Sequence, residues 1–265
     1  MKIKFPRFIV LLFLTISYFS FAEAQTNGKI SPYTEGEILT YEGRFSKIIP
    51  FGSIADLIFT VGKTSDGKDY LVKADAKSKG TLVKLFRFSF VQNIESTIDS
   101  EKFTILKTVK RDQQNDKIRN SEATFNYADK KVTYIETDPK DAARPPRRIA
   151  SDIENETYDL ISGVYALRNL PLAVGKNFVL NVSDSGLVYQ IPVRVTAKEK
   201  QNTILGKVSC FRIEPEVFGK GRMIESKGSM IIWLTDDNRR LPVRSQINTS
   251  FGRIEVRLKK NEVKK

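Results

Sequence analysis

The sequence predicts a mainly β protein, a curled antiparallel meander that forms a barrel or half-barrel around one central helix. Three observations carry this prediction. Short segments rich in β-branched and aromatic residues alternate apolar and polar with period two. Turns built on Gly, Asn and Asp bound these segments at close spacing. One stretch near the middle switches to helical spacing. Strands joined so closely pair as antiparallel neighbours, and a long run of them must curl or close.

The chain opens with Lys2, Lys4 and Arg7, an apolar run from Phe8 to Phe21, and Ala22-Glu23-Ala24. This is the pattern of a secretory signal peptide cleaved near Ala24. Its apolar run of about 14 residues falls short of the roughly 20 that span a bilayer, so no transmembrane anchor is expected after cleavage. Residues 25–265 read as a single antiparallel β domain. No Gly/Ser-rich or Pro-rich linker divides them, and the polar stretch DPKDAARPPRR at 138–148 suffices for one long loop only.

Strands are expected near 36–46, 53–62, 69–77, 88–98, 103–111, 118–127, 131–137, 177–183, 187–199, 207–216, 226–235, 242–249 and 252–259. In the first, GEILTYEG, Ile38 and Thr40 face one side of the sheet and Leu39 and Tyr41 the other; Gly36 and Gly43 permit a close approach or a bulge. Glu35, Glu37 and Glu42 are read as a solvated acidic cluster. Hairpin turns are placed at Thr64–Gly67, Ala128–Lys131 and Ser183–Gly186. A short second helix is possible over GTLVKLF at 80–86. The central helix is expected over 157–170, with Leu160, Val164 and Leu167 on one face, Thr157 or Asp159 as its cap, Arg168 at its C-terminal end and Pro171 stopping it.

Composition narrows the chemistry. The 265 residues hold no His and one Cys, which excludes Ser-His-Asp and Cys-His catalysis, His-ligated zinc and an internal disulfide. No cofactor and no metal site is expected. Lys and Arg number 44 against 31 Asp and Glu, a net charge of +13. Removal of the leader, with three basic residues and one acidic, leaves about +11. For an exported chain the partners this charge suggests are anionic envelope lipids or polysaccharides, or an envelope protein, and not nucleic acid. A bacterial periplasm suits a chain with a single thiol, and Cys210, within KVSCFRIE, is read as a core thiol.

Three stretches together resemble the exported bacterial family called domain of unknown function 3108. They are GEILTYEG at 36–43, DLISGVYALR at 159–168 with LPL at 170–172 and Gly175, and WLTDD at 233–237 with RLPV at 240–243. The resemblance implies a secreted or periplasmic antiparallel β protein with a barrel-like sheet. It implies no established activity and no catalytic residues.

Candidate functional residues therefore come from physical reading. Arg168 is read first as one half of a structural ion pair, and alternatively as an anion-binding group at the mouth of a sheet-lined cleft with Tyr165 as its aromatic wall. Asp159 lies too far along the helix to be its partner. Trp233 is a further candidate ligand contact. Arg144, Arg147 and Arg148 form a proline-stiffened basic segment that could rest on an acidic surface. Asp236 or Asp237 is expected to pair with Arg240 across a turn; the same two carboxylates as a glycan-cleaving acid and base is the weakest reading, because adjacent carboxylates diverge. The function expected is non-catalytic binding of an amphipathic or polymeric ligand, lipid or polysaccharide, in or on the curled sheet. The alternative is a protein–protein scaffold of the cell envelope.

Overall fold

A computed structural model describes residues 31–45, 52–80, 84, 87–154, 156–250 and 252–264. The expected leader lies outside the described residues, as does most of the short helix expected over 80–86. The first strands are β1 (Glu37–Phe45), β2 (Ser53–Lys63), β3 (Tyr70–Ser78), β4 (Phe90–Ile98), β5 (Ile105–Gln114), β6 (Lys117–Asn126), β7 (Lys131–Thr137) and β8 (Arg147–Asp152). A two-residue strand, β9 (Thr157–Tyr158), and helix α1 (Leu160–Asn169) follow. The chain ends with β10 (Asn177–Asp184), β11 (Leu187–Thr203), β12 (Gly206–Pro215), β13 (Gly228–Thr235), β14 (Pro242–Thr249) and β15 (Gly252–Val263).

All 15 strands belong to one sheet, ordered β8-β7-β6-β5-β4-β3-β2-β1-β15-β14-β13-β12-β11-β10-β9. The first and last long strands, β1 and β15, pair at its middle, with Glu37 opposite Val263 and Phe45 opposite Ile254. Half the chain therefore winds outward from the centre to β8, crosses to the far edge, and winds back. The crossover carries β9 and α1. Every neighbouring pair is antiparallel except β9–β10, the one pair that the crossover forces into parallel register.

The crossover runs inside the curl, so its helix is buried on two sides. Ile161 and Tyr165, one turn apart, join a core with Val72 of β3, Ile94 of β4 and Phe125 of β6. Leu167 joins a second core with Val182 of β10, Val193 of β11 and Ile213 of β12. The curled meander around a central helix is as expected, but the helix is shorter: Thr157 is wholly buried in the β9–β10 pairing, and the helix begins only after Asp159. Pro171 follows the C-cap, Leu170, as expected.

The sheet does not close by a hydrogen-bonded ladder, but its β8 edge meets the β10–β11 turn. Ser151 Oγ donates to the carbonyl of Gly186 at 2.7 Å. Gly186 has φ of +81°, and a Cβ there would lie 2.5 Å from Cβ of Tyr134 and 2.9 Å from Cβ of Ile149. Gly186→Ala should thus cost about 1–3 kcal/mol, from backbone strain and overpacking together. Urea unfolding measures it; an unchanged midpoint would mean that this seam is open in solution.

At the sheet centre, Gly36 (φ +80°) passes so close to the Lys264 carbonyl that a Cβ would sit 2.0 Å from it. Gly43 adjoins a bulge in the β1–β2 pairing. Both are roles the sequence suggested. The unexpected feature is an arm. The β11–β12 ladder continues to Thr203 opposite Gly206, well past the four residues, Cys210–Ile213, that pair with β13. Leu205 and Val208 of the arm pack against a cluster that contains Trp233, Leu241 and Val243.

Candidate functional site

Helix α1 is latched at both ends. Asp159 is the N-cap, extended at φ −89° and ψ −178°, and Ser162 completes a capping box. Ser162 N donates to Asp159 Oδ1 at 2.7 Å, and Asp159 N donates to Ser162 Oγ at 2.9 Å. The other carboxylate oxygen, Oδ2, accepts from Thr108 Oγ1 of β5 at 2.7 Å and from Ser96 Oγ of β4. One buried side chain thus caps the helix and fastens it to the N-terminal half of the sheet.

At the other end Arg168 makes a two-pronged pair with Glu37 of β1. Its two terminal nitrogens donate to Oε2 at 2.8 Å and to Oε1 at 3.1 Å, while Nε donates to the Arg239 carbonyl at 3.0 Å. The Arg168 and Glu37 side chains are 6 % and 4 % exposed. This is the ion pair that the sequence favoured for Arg168, and it corrects the reading of Glu37 as solvated. A charge taken so far out of water requires a matched partner, and the bidentate geometry supplies it.

Between these latches the helix packs on β3, β4 and β10 but stands off from the sheet centre. The space left is a cleft of about 210 Å³. Val164, Tyr165 and Arg168 form its helical wall; Leu39, Tyr41, Leu57 and Phe59 of β1 and β2 form a second, and Met230, Ile232, Ser245, Ile247 and Val256 of β13 to β15 a third. Apart from Arg168, Arg244 and Ser245 the lining side chains are apolar or aromatic. Tyr41 Oη donates to the Pro242 carbonyl at 2.8 Å. Burial holds its phenol well above the usual tyrosine range, and neighbouring Tyr165 and Glu37 add to the effect.

Tyr165 differs. It is 2 % exposed and stacks on Tyr33 with ring centroids 5.0 Å apart. Its hydroxyl has no hydrogen-bond partner among the described residues. Burial first, and the Glu37 carboxylate second, push its phenol far up, so it stays protonated and able to donate.

The other predicted residues lie elsewhere. Trp233 does not line this cleft; it sits in the cluster beneath the arm, with Nε1 donating to Glu199 and the Arg244 guanidinium 4.5 Å from its ring. Alternation explains the placement: its neighbour Ile232 faces the cleft, so Trp233 faces away. Arg144 lies 3.8 Å from Asp138 in the loop. Arg147 and Arg148 are not in that loop but open the edge strand β8, exposed and opposite Glu136 and Ile135 of β7. None of these three arginines borders the cleft.

Asp237 does not pair with the Arg240 side chain. Its Oδ1 accepts from the backbone N of Arg239 and Arg240 and from Thr235 Oγ1 at 2.6 Å, and its ion pair is with Arg239 at 2.6 Å. Burial raises its carboxyl, but the hydrogen bonds from Thr235 and Arg239 outweigh that and hold it below the usual range. Asp236 pairs with Lys198 instead, so the two adjacent carboxylates turn to separate cations. Arg240 has φ of +48° and its guanidinium lies over Phe211 at 4.8 Å. Cys210 is wholly buried, and burial, followed by the charges of Asp237 and Glu199, pushes its thiol to about 11. Among the described residues no cluster of Cys, Asp and Glu could hold a metal ion.

The sequence matches the family described as protein of unknown function (DUF3108) over residues 40–259. The chain belongs to this family. That span starts within β1 and ends within β15, so it takes in all three walls of the cleft and both latches except Glu37 and Leu39. No curated protein matches the sequence. Among solved structures the fold is similar to a β-barrel-like protein of domain of unknown function DUF1849 from Brucella abortus, with a TM-score of 0.61 and 9% identity over 88% of this chain and 99% of that one. A protein from Bacteroides fragilis described as exported, with a YmcC-like fold, aligns at a TM-score of 0.33 and 13% identity over 87% and 97%. The first likeness shows this chain's fold to be barrel-like, and nothing about a ligand.

Proposed function

We propose that this chain is a non-catalytic, exported envelope protein that holds a lipid-like amphiphile in the cleft between α1 and the sheet centre. The observation that carries the reading is the cleft itself. Small-molecule sites are concave and lined mostly by apolar and aromatic side chains with a few polar groups, and this open cleft of about 210 Å³ has that lining. Its walls come from elements held apart by two polar latches. An apolar lining favours hydrocarbon over a sugar polymer, which needs a wall of hydrogen-bonding groups. Export rests on the leader motif, and no helix among the described residues is long and apolar enough to cross a membrane.

Ser245 offers the test. It is opposite Ile232 on one side and Val256 on the other, a small residue in a row of cleft-lining aliphatics. Ser245→Phe should fill the cleft and weaken uptake of naphthalene, measured by equilibrium dialysis, by more than about tenfold while the fold is retained. Equal uptake by both proteins, or none by either, would overturn the reading.

A further inference from the structure

We infer that the groove beneath the tip of the β11–β12 arm, on the face of the sheet away from the cleft, is a second binding site and takes a phosphate group. The groove measures about 210 Å³. Asn202, Thr203 and Ile204 of the arm form one wall. On the other, from β14, β15 and β1, Arg44, Arg244, Arg257 and Lys259 meet one carboxylate among the described lining residues, Glu42.

Register brings these charges together. Arg257 is directly opposite Arg244 on one side and Glu42 on the other, so the three stand in one row across strands about 5 Å apart. Arg44 lies two residues on from Glu42 and shares its face. Lys259 is the extra residue of a bulge: Thr40 pairs with Lys260 and Tyr41 with Leu258, which leaves Lys259 between them. The bulge turns it onto the same face, 3.8 Å from Glu42. The arm fixes Arg244, whose Nη1 donates to Gln201 Oε1 at 3.0 Å while its guanidinium rests on Trp233.

The charges do not balance. Glu42 pairs with Arg44 at 2.7 Å, and Glu255 pairs with both Arg244 and Arg257. Lys79, also near Glu42, has Asp56 as its own partner at 2.8 Å. Two carboxylates thus serve four cations, a surplus of two. Glu42 and Glu255 are 16 % and 14 % exposed, whereas Arg44, Arg257 and Lys259 are 43 %, 48 % and 47 % exposed, so the acids form the floor and the cations the opening. Like charges set directly opposite on a sheet cost stability, a cost that an anion in the groove removes. Guanidinium forks match phosphate oxygens with paired N–H donors, and a phosphate monoester carries close to two negative charges near neutral pH. A carboxylate would match half of the surplus.

The experiment titrates the chain with glycerol 3-phosphate by calorimetry at pH 8, and measures its retention on phosphatidylcholine vesicles with and without phosphatidic acid. Two variants each remove two positive charges. Arg257→Gln/Lys259→Gln takes away the surplus and leaves Arg44 for Glu42 and Arg244 for Glu255; both side chains are nearly half exposed and stand beside like charges, so the fold is kept. Arg147→Gln/Arg148→Gln makes the same change in net charge at exposed positions of β8, outside the groove. Wild type and the β8 variant should bind glycerol 3-phosphate alike, and the groove variant at least about tenfold more weakly. Binding of the soluble ester without retention on either vesicle would make a free phosphate compound the ligand. Retention on phosphatidic acid vesicles that only the groove variant loses would make it a lipid headgroup. Binding of neither probe by the wild type, equal weakening in both variants, or a groove variant that binds as the wild type does would overturn the inference. The cleft reading stands or falls separately.

Discussion

Arg168→Met lowers the unfolding free energy by about 3–5 kcal/mol, because it leaves the Glu37 carboxylate buried without a counter-charge. For a domain of this size that is a fall in melting temperature of roughly 6–20 °C. The bidentate contacts and the near-complete burial of both side chains place the pair where solvent screening gives no relief. The double variant Glu37→Leu/Arg168→Met should recover most of the loss, since two apolar groups replace both charges at once. Urea titration of the wild type, both singles and the double variant gives the coupling. Additive losses would show that the two side chains do not interact as the geometry requires.

Asp159→Ala produces the second large effect, about 3 kcal/mol or more. Loss of the N-cap costs about 1 kcal/mol, and the hydroxyls of Ser96 and Thr108 lose the acceptor they share, each at about 1–3 kcal/mol if nothing replaces it. Asp159→Asn separates the two parts, because its amide oxygen still caps Ser162 N while the charge-assisted bonds to β4 and β5 are lost. Its destabilisation should fall between wild type and Asp159→Ala in the same titration. If Asn and Ala were equal, capping would contribute nothing measurable; if Asn matched wild type, the contacts to Ser96 and Thr108 would be idle. These two variants also test the origin of the cleft, since the latches fix how far α1 stands from the sheet.

Much of this architecture was legible because alternation and turn chemistry act locally. EILTYEGRF gives buried and half-buried residues in strict turn, and Ser185 and Gly186 take the positive φ that a tight hairpin demands. β8 was missed because RRIASD carries no apolar alternation; its ladder to β7 and the one inward apolar side chain, Ile149, hold it. The outer part of the arm is similar. Lys198 to Thr203 are polar or half-exposed, and a hairpin partner, not the core, keeps them extended.

The site was legible in part. Arg168 and Tyr165 could be singled out from the helix, and parity along β1 would have found Glu37, which shares the face of Leu39 and Tyr41. An acidic residue on an inward face needs a buried cation, and Arg168 lacked a partner on its own helix. The contributions of β13 to β15 could not be read in the same way. Ile232, Ser245 and Val256 carry the pattern of a filled core, and only the distance between helix and sheet shows that the space between them is open.

The central claim, that this open space takes up an amphiphile, is tested most directly by native mass spectrometry of the full chain recovered without detergent from the cells that make it. Solvent extraction of whatever is released identifies the occupant. The account predicts one lipid-like molecule per wild-type protein, and its loss from Ser245→Phe. A bare polypeptide mass for the wild type, or the same adduct retained by Ser245→Phe, would contradict it.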